Sequence, residues 1–330
     1  MLNYWHPVLS SRDLPPERAV GLKLAGHSLA LFRTGDGRLG AVADQCAHRR
    51  MKLSLGRVER GALTCPYHGW SFTCNGRGET PSAPKMHASI ASYACAEASG
   101  VIWVKAQDSS QELPALAMDG WDFAGAVFNK VRAPLELVLD NFSEVEHTIT
   151  THPDFGIARE RAAEAVVEVE TTSESVSVRN HGPAKMPPLD TRLAIAIRRH
   201  DHFHSNYTFR FDPPRSSVTH FWTDPRTGRE RMMKYHVFHY FVPEDQTNTT
   251  VVSFGFLKLR WLLLRHFSKP PLVGYLFRRK LRQTIDEDAF LLDNLADHSP
   301  NLEGTKLSRF DPILGLTRER LRRIYRQEEG

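Results

Sequence analysis

Cys46-Ala47-His48 and, sixteen residues further on, Cys65-Pro66-Tyr67-His68 are two short stretches that each offer one thiolate and one imidazole. Two Cys and two His are the ligand set of a two-iron, two-sulfide cluster in which the thiolates hold one iron and the imidazoles the other. The spacing has a physical reason. A two-iron rhomb needs two loops side by side, each reaching both irons, and one Cys with one His per loop meets that need. A single zinc is the competing reading, although zinc modules usually pair Cys with Cys and His with His along the chain.

At these loops the chain resembles the Rieske family. Respiratory Rieske proteins carry an extra Cys in each loop, joined as a disulfide, and a Ser after the His-Gly pair. Here those positions are Met51, Tyr67 and Trp70. Without the disulfide and with fewer hydrogen bonds to cluster sulfur, the potential is expected in the lower part of roughly −150 to +300 mV. The resemblance is therefore to the Rieske domain of ring-hydroxylating or demethylating oxygenases, not to that of a respiratory complex.

A chain of 330 residues is long for one core, which suggests two domains. Cys74 and Cys95 remain outside the cluster motif. A disulfide between them is open, but a metal-thiolate site with no dense Cys framework fits a reducing cytoplasm. No basic region followed by an apolar run opens the chain, so no signal peptide is expected. A net charge of +5 with acids and bases interleaved does not imply nucleic acid. Residues 258 to 282 are the local exception, with nine basic side chains around the apolar runs 261–264 and 275–277. They could rest on a membrane surface or a partner, but a packed segment with solvated basic flanks is the preferred reading.

Residues 4 to about 118 read as short strands between turn signals, among them Gly35-Asp36-Gly37 and Asn75-Gly76, with a closing strand at Val101-Ile102-Trp103-Val104. The pattern predicts an all-β domain over 1–118 and an α+β domain over 119–330. In the second, Pro134 opens a helix from Leu135, strands return over 164–258, a long helix covers about 272–297, and a short charged helix covers 318–326.

His147 and His152 lie five apart, about 140° off register on a regular helix. They cannot share one metal on an unbroken helix, but Pro153 turns the chain at His152 and could bring both imidazoles inward. Taken alone, two His near a helix end are more often structural than ligands. Asp288 interrupts the apolar stripe Leu281, Ile285, Leu292 and Leu295, where an unpaired carboxylate is costly unless a cation sits beside it. Two His and one carboxylate form the face that holds non-haem Fe(II) and leaves positions for oxygen. An Arg partner is the alternative for Asp288. Asp286, Glu287 and Asp293 are expected on a solvated face. His200, His202 and His204 could bind a metal but more simply mark a solvated or pocket-facing strand. Met232, Met233, Phe238, Tyr240, Phe241 and Phe254 could line a pocket or fill a core, and Arg49, Arg50 and Lys52 could receive a reductase.

The oxygenase subunits that the chain resembles carry an Asn, an acidic residue three on, a His three further, a His five further and a distant Asp. Asn141, Glu144, His147, His152 and Asp288 match singly, with Glu144 where Asp is usual. The resemblance implies an N-terminal Rieske domain and a catalytic domain with a central antiparallel sheet and flanking helices. It implies a [2Fe–2S] cluster at Cys46, His48, Cys65 and His68, a mononuclear Fe(II) at His147, His152 and Asp288, and O₂ as co-substrate. NAD(P)H enters only through a ferredoxin or flavin reductase. The acidic residue bridges an iron-ligating His to a cluster His of the next subunit in a head-to-tail homotrimer. Monooxygenation or O- or N-demethylation of a small, aromatic or cyclic molecule is the expected reaction. Ring dihydroxylation, a Rieske electron carrier and a zinc protein are the alternatives.

Overall fold

The computed structural model describes residues 1–84, 86–259 and 271–328. It divides into two units, Met1–Ala115 with Val242–Gln246, and Leu116–Phe241 with Thr247–Gly330.

The first unit is built of short strands: β1 His6–Ser10, β2 Arg18–Leu24, β3 His27–Arg33, β4 Leu39–Ala43, β5 Arg57–Glu59, β6 Ala62–Thr64, β7 Ser71–Phe72, β8 Arg77–Glu79, β9 Ala88–Ser89, β10 Ser92–Ala98 and β11 Val101–Ala106. They form a six-stranded sheet in the order β1-β11-β10-β4-β3-β2 and a five-stranded sheet from β5 to β9. The Asn75-Gly76 turn joins β7 to β8, with Gly76 N–H donating to the Thr73 carbonyl at 2.9 Å. Phe32, Leu53, Leu63 and Phe72 form a buried cluster that also takes in Cys46 and Cys65. The two loops are therefore anchored in the core at their Cys.

The second unit opens with β12 Asp122–Val131, then α1 Leu135–Ser143 and the four-residue α2 His147–Thr150. Strands β13 Val166–Thr171 and β14 Ser175–Pro183 follow, then α3 Leu189–Ile195 and β15 His202–Phe211, β16 Pro214–Thr223, β17 Met233–Pro243 and β18 Thr249–Leu259. A seven-stranded sheet results in the order β12-β18-β17-β16-β15-β14-β13. Side chains alternate between its faces, so the register sets out rows across β14 to β17. Asn180 pairs with Ser205, Ser205 with His220 and His220 with Tyr235. Two residues along, Val178, Tyr207, Val218 and Val237 make the next row on the same face. On the other side Gly182, Phe203 and Trp222 make a third. A polar row thus lies between apolar rows.

The long helix α4 runs Pro271–Asp293 and packs on β12. It stops short of the expected 297 because Asn294 Nδ2 donates to the Phe290 carbonyl at 2.7 Å and His298 Nε2 lies 2.8 Å from that of Leu292. Leu295 falls beyond the helix and is 42% exposed, so it leaves the predicted stripe. The last helix, α5 Pro312–Arg320, starts at its proline and continues into a wider π turn to Arg326. It is not simply charged: Ile313, Leu314, Leu321 and Tyr325 are buried, and Arg318 pairs with Asp140 of α1 through Nη2 and through Nε, which lies 3.0 and 3.1 Å from the two carboxylate oxygens. No helix among the described residues is long and apolar enough to cross a membrane. Of the basic stretch, residues 260–270 lie outside the described residues. Arg278, Arg279 and Arg282 line a groove beside Ala126 and Val127.

Candidate metal centres

The two Cys/His loops fold alike. Cys46 N–H donates to the Met51 carbonyl at 2.8 Å and Cys65 N–H to that of Trp70 at 2.7 Å. The residue four after each Cys closes the loop onto that Cys carbonyl, Arg50 at 3.0 Å and Gly69 at 3.2 Å, and both take positive φ. Cys46 and Cys65 are each 2% exposed, whereas His48 and His68 are at the surface. Their rings stand 4.5 Å apart, His48 stacks on Trp70 at 4.7 Å, and Tyr67 lies against His68 at 3.8 Å. Burial raises the Cys46 thiol pKa and the adjacent Cys65 adds to it, so two bare thiolates would repel there. Bound iron removes that objection. Among the described residues, three ligand atoms converge within 4.8 Å only at another place, so the loops lack the tight closure of a single zinc. Cys74 and Cys95 are free thiols. Asp44 receives Ser54 N–H and Oγ at 2.7 Å each, which ties down the end of the first loop.

The convergence within 4.8 Å is that of His147, His152 and Asp288. Glu144 breaks α1 from α2 in extended conformation, and its carboxylate accepts the N–H groups of Glu146 at 2.5 Å and His147 at 3.1 Å. That caps α2 in the manner of an N-terminal acidic residue. α2 stops at Thr150, ahead of Pro153, and Lys185 Nζ donates to the carbonyls of Thr148 at 3.0 Å and His152 at 2.6 Å. The chain then turns through Gly156, at a φ of +115°, where an added Cβ would lie only 2.7 Å from the Thr148 carbonyl oxygen. The helix break and this turn bring the two rings to 5.2 Å.

Each ring is held from behind by a carboxylate. Glu144 Oε1 contacts His147 Nδ1, and Glu287 Oε2 lies 3.0 Å from His152 Nδ1. With Nδ1 engaged, both Nε2 atoms face Asp288 Oδ1, at 3.4 Å from His147 and 3.3 Å from His152. Asp288 is 3% exposed and Oδ1 has no hydrogen-bond partner. A buried carboxylate oxygen without a donor, aimed at two free imidazole nitrogens, fits a divalent cation. Without a cation, protons take its place between these three groups. Burial opposes the His147 imidazolium, but Asp288 and Glu144 outweigh it and raise the pKa to about 10. Burial likewise pushes the Asp288 carboxyl up, but the two imidazoles outweigh it and hold that group well below the usual range.

Two expectations need correction. Glu287 is not on a solvated face but orients His152, and Asp293 is partly buried and accepts Arg132 N–H at 2.7 Å, whereas Asp286 is exposed as expected and also accepts from Asn129 at 2.7 Å. Each has an opposing group on a different element, which the helix pattern alone does not reveal. Asn141 stands in α1 with a buried, unpartnered Nδ2 and does not line the cavity described next. His200 precedes β15, and His204 bonds Thr223 at 2.8 Å and stacks between His181 and Phe221, so the trio forms no ligand cluster.

A cavity, partly open to solvent, lies beside the triad. The sheet rows form one wall, with Asn180, Ser205, His220, Tyr235, Ser216 and His239, and Leu281, Thr284 and Ile285 of α4 form another. Met232, Met233, Phe238, Tyr240, Phe241 and Phe254 are not in this lining. Burial depresses His220 and His239 to about 3, so both are neutral. The signal for these residues was present in the strands: polar side chains at inward positions of an alternating pattern.

Residues 4–94 match the Rieske [2Fe-2S] domain, and residues 131–325 match the vanillate O-demethylase oxygenase C-terminal domain. Chlorophyllide a oxygenase of Chlamydomonas reinhardtii is 36% identical over 158 residues, covering 46% of this chain and 24% of that protein. The vanillate O-demethylase oxygenase subunit of Pseudomonas sp. (strain HR199 / DSM 7063) is 28% identical over 202 residues, covering 58% of this chain and 56% of that one. The chain spans 24% to 29% of the length of the chlorophyllide a oxygenases it matches. The structure of dicamba monooxygenase bound to 3,6 dichlorosalicylic acid superposes over 99% of this chain and 98% of that one, with a TM-score of 0.79 at 16% identity, a likeness of fold. With both family matches in sequence along it, the chain belongs to the Rieske non-haem iron oxygenases, as a terminal oxygenase subunit.

Proposed function

We propose that this subunit inserts oxygen from O₂ into a small organic substrate by hydroxylation or oxidative demethylation. The observation that carries the reading is the orphaned Asp288 Oδ1 facing two free Nε2 atoms at the edge of an aromatic-walled cavity. When bound, the cluster supplies single electrons from a ferredoxin or flavin reductase and the non-haem iron supplies O₂ activation toward a C–H bond. His147, His152 and Asp288 would hold the iron on one face, leaving the side toward the cavity for reactants. Glu144 and Glu287 hold the two imidazoles in the ligating tautomer. Phe142, Phe155 and Phe203 exclude water from the substrate side. The match to a demethylase domain over 131–325 favours monooxygenation or demethylation over ring dihydroxylation.

Delivery of electrons from one subunit's cluster to the next subunit's iron, in a homotrimer, belongs to the same proposal, as does a cytoplasmic setting consistent with the free thiols. Mixing His68→Ala subunits with Asp288→Ala subunits tests that arrangement: mixed assemblies regain activity, and recovery in none of them rules out transfer between subunits. The reaction itself is tested with a surrogate reductase and a panel of methoxy- and N-methyl-substituted rings. Substrate-dependent O₂ uptake matched by hydroxylated product or formaldehyde is the expected result. Cluster reduction without any coupled uptake leaves only an electron carrier.

A further inference from the structure

The polar row Asn180, Ser205, His220 and Tyr235 is placed where a bound molecule would meet it. All four line the cavity beside the triad, at successive partner positions of four adjacent strands. Asn180 is 2% exposed and His220 8%, and Asn180 Oδ1 and His220 Nδ1 have no hydrogen-bond partner. Leaving two such buried atoms unsatisfied is costly, and neither is needed to hold the sheet, whose backbone ladder is complete in this register. Tyr235 stacks on His220 with ring centroids 5.0 Å apart, so the row presents flat faces as well as polar edges.

The charge of the lining narrows the class further. Among the described residues no Lys or Arg lines the cavity, while Glu144 and Asp288 do. Lys185, close behind His152, directs its ammonium at two backbone carbonyls and is not in the lining. Bound Fe(II) would add two positive charges, but Glu144, Glu287 and Asp288 set three negative ones around it, so an anionic substrate would leave water for a site with no surplus positive charge. A neutral ring loses little on entry and can satisfy the orphaned atoms.

We infer that the row from Asn180 through Ser205 and His220 to Tyr235 is the substrate-orienting element, and that it selects uncharged planar rings carrying a hydrogen-bonding amide, keto or hydroxyl edge over ring carboxylates. This rests on the oxygenase reading for the cavity's purpose, but its test is binding and needs no turnover. The probes are 4-methoxybenzamide, 4-methoxybenzoate and anisole, titrated by calorimetry into the protein with both metal centres loaded. The amide binds at least about tenfold tighter than either of the others, the carboxylate lacking a counter-charge and anisole lacking the polar edge. His220→Phe and Asn180→Leu each reduce the advantage of the amide over anisole by about tenfold, with anisole affinity and thermal midpoint kept. Benzoate binding as tightly as the amide overturns the inference, as does no measurable amide binding, or an amide advantage that survives both substitutions. Tight, row-dependent amide binding with no O₂ uptake on any ring would count against the oxygenase reading alone.

Discussion

At the level of single residues, the metal centre depends on which nitrogen of each imidazole is free. Glu287 fixes this for His152 and Glu144 for His147, so the two carboxylates act through the ligands rather than on the iron. Glu287→Gln weakens iron retention roughly 10- to 100-fold, read as iron left after timed chelation, with the visible spectrum of the cluster unchanged. Equal retention in the variant and the parent contradicts that role. Asp288 was legible in the sequence because a carboxylate set in an apolar stripe is stable only with a cation beside it. Glu287 was not, since it sits one step round the helix and acquires its function only when the turn at Pro153 carries His152 to that side. Glu144 was identified through the family pattern, yet its capping of α2 and its contact with His147 are visible only in the fold.

The elements that set this geometry are short and mutually braced. α2 has four residues, and it is held by the Glu144 cap, by Lys185 on the carbonyls of Thr148 within it and His152 beyond it, and by the turn at Gly156. Gly156→Ala forces a Cβ against the Thr148 carbonyl at a positive φ and destabilises the fold by roughly 1–3 kcal/mol, with weaker iron retention. Scanning calorimetry checks the first and chelation the second, and an unchanged midpoint would show that the turn relaxes freely. On the opposite side, α1 is fastened to α5 by Asp140 and Arg318, whose side chains are 12% and 16% exposed. Arg318→Met leaves that carboxylate buried and unpaired at a cost of about 3 kcal/mol, and adding Asp140→Leu recovers most of the loss. Helix α1 and the strand alternation were readable from periodicity. The ends of α4 and α5 were not, because side-chain capping by Asn294 and His298 and the proline start at Pro312 decided them.

Across the whole molecule, several histidines are buried neutral and couple stability to pH. Burial lowers His6 to about 4 and His220 and His239 to about 3, against 6.5 when unfolded. Between pH 6.5 and those values the unfolded chain binds protons that the folded chain refuses, so stability is full above pH 6.5 and falls as the pH drops. Each contributes up to about 1.4 kcal/mol per pH unit in that window. Urea midpoints should fall from about pH 7 to about pH 4.5, and His220→Phe should lessen the slope; a flat profile contradicts this burial. The α+β architecture was legible in the sequence, and so was its division of labour between a cluster module and a second metal site. The cavity wall was legible only in part: the polar inward positions stand in the strands, but which of them form one row depends on the register of four strands that local pattern does not set. Metal content joins the two halves of the account most directly. Iron, sulfide and zinc analysis with EPR of the reduced protein should give about three irons per chain and a Rieske signal, and Asp288→Asn should give about two with that signal unchanged. Zinc in place of iron, or about two irons whether or not Asp288 is present, would contradict a second iron centre at His147, His152 and Asp288.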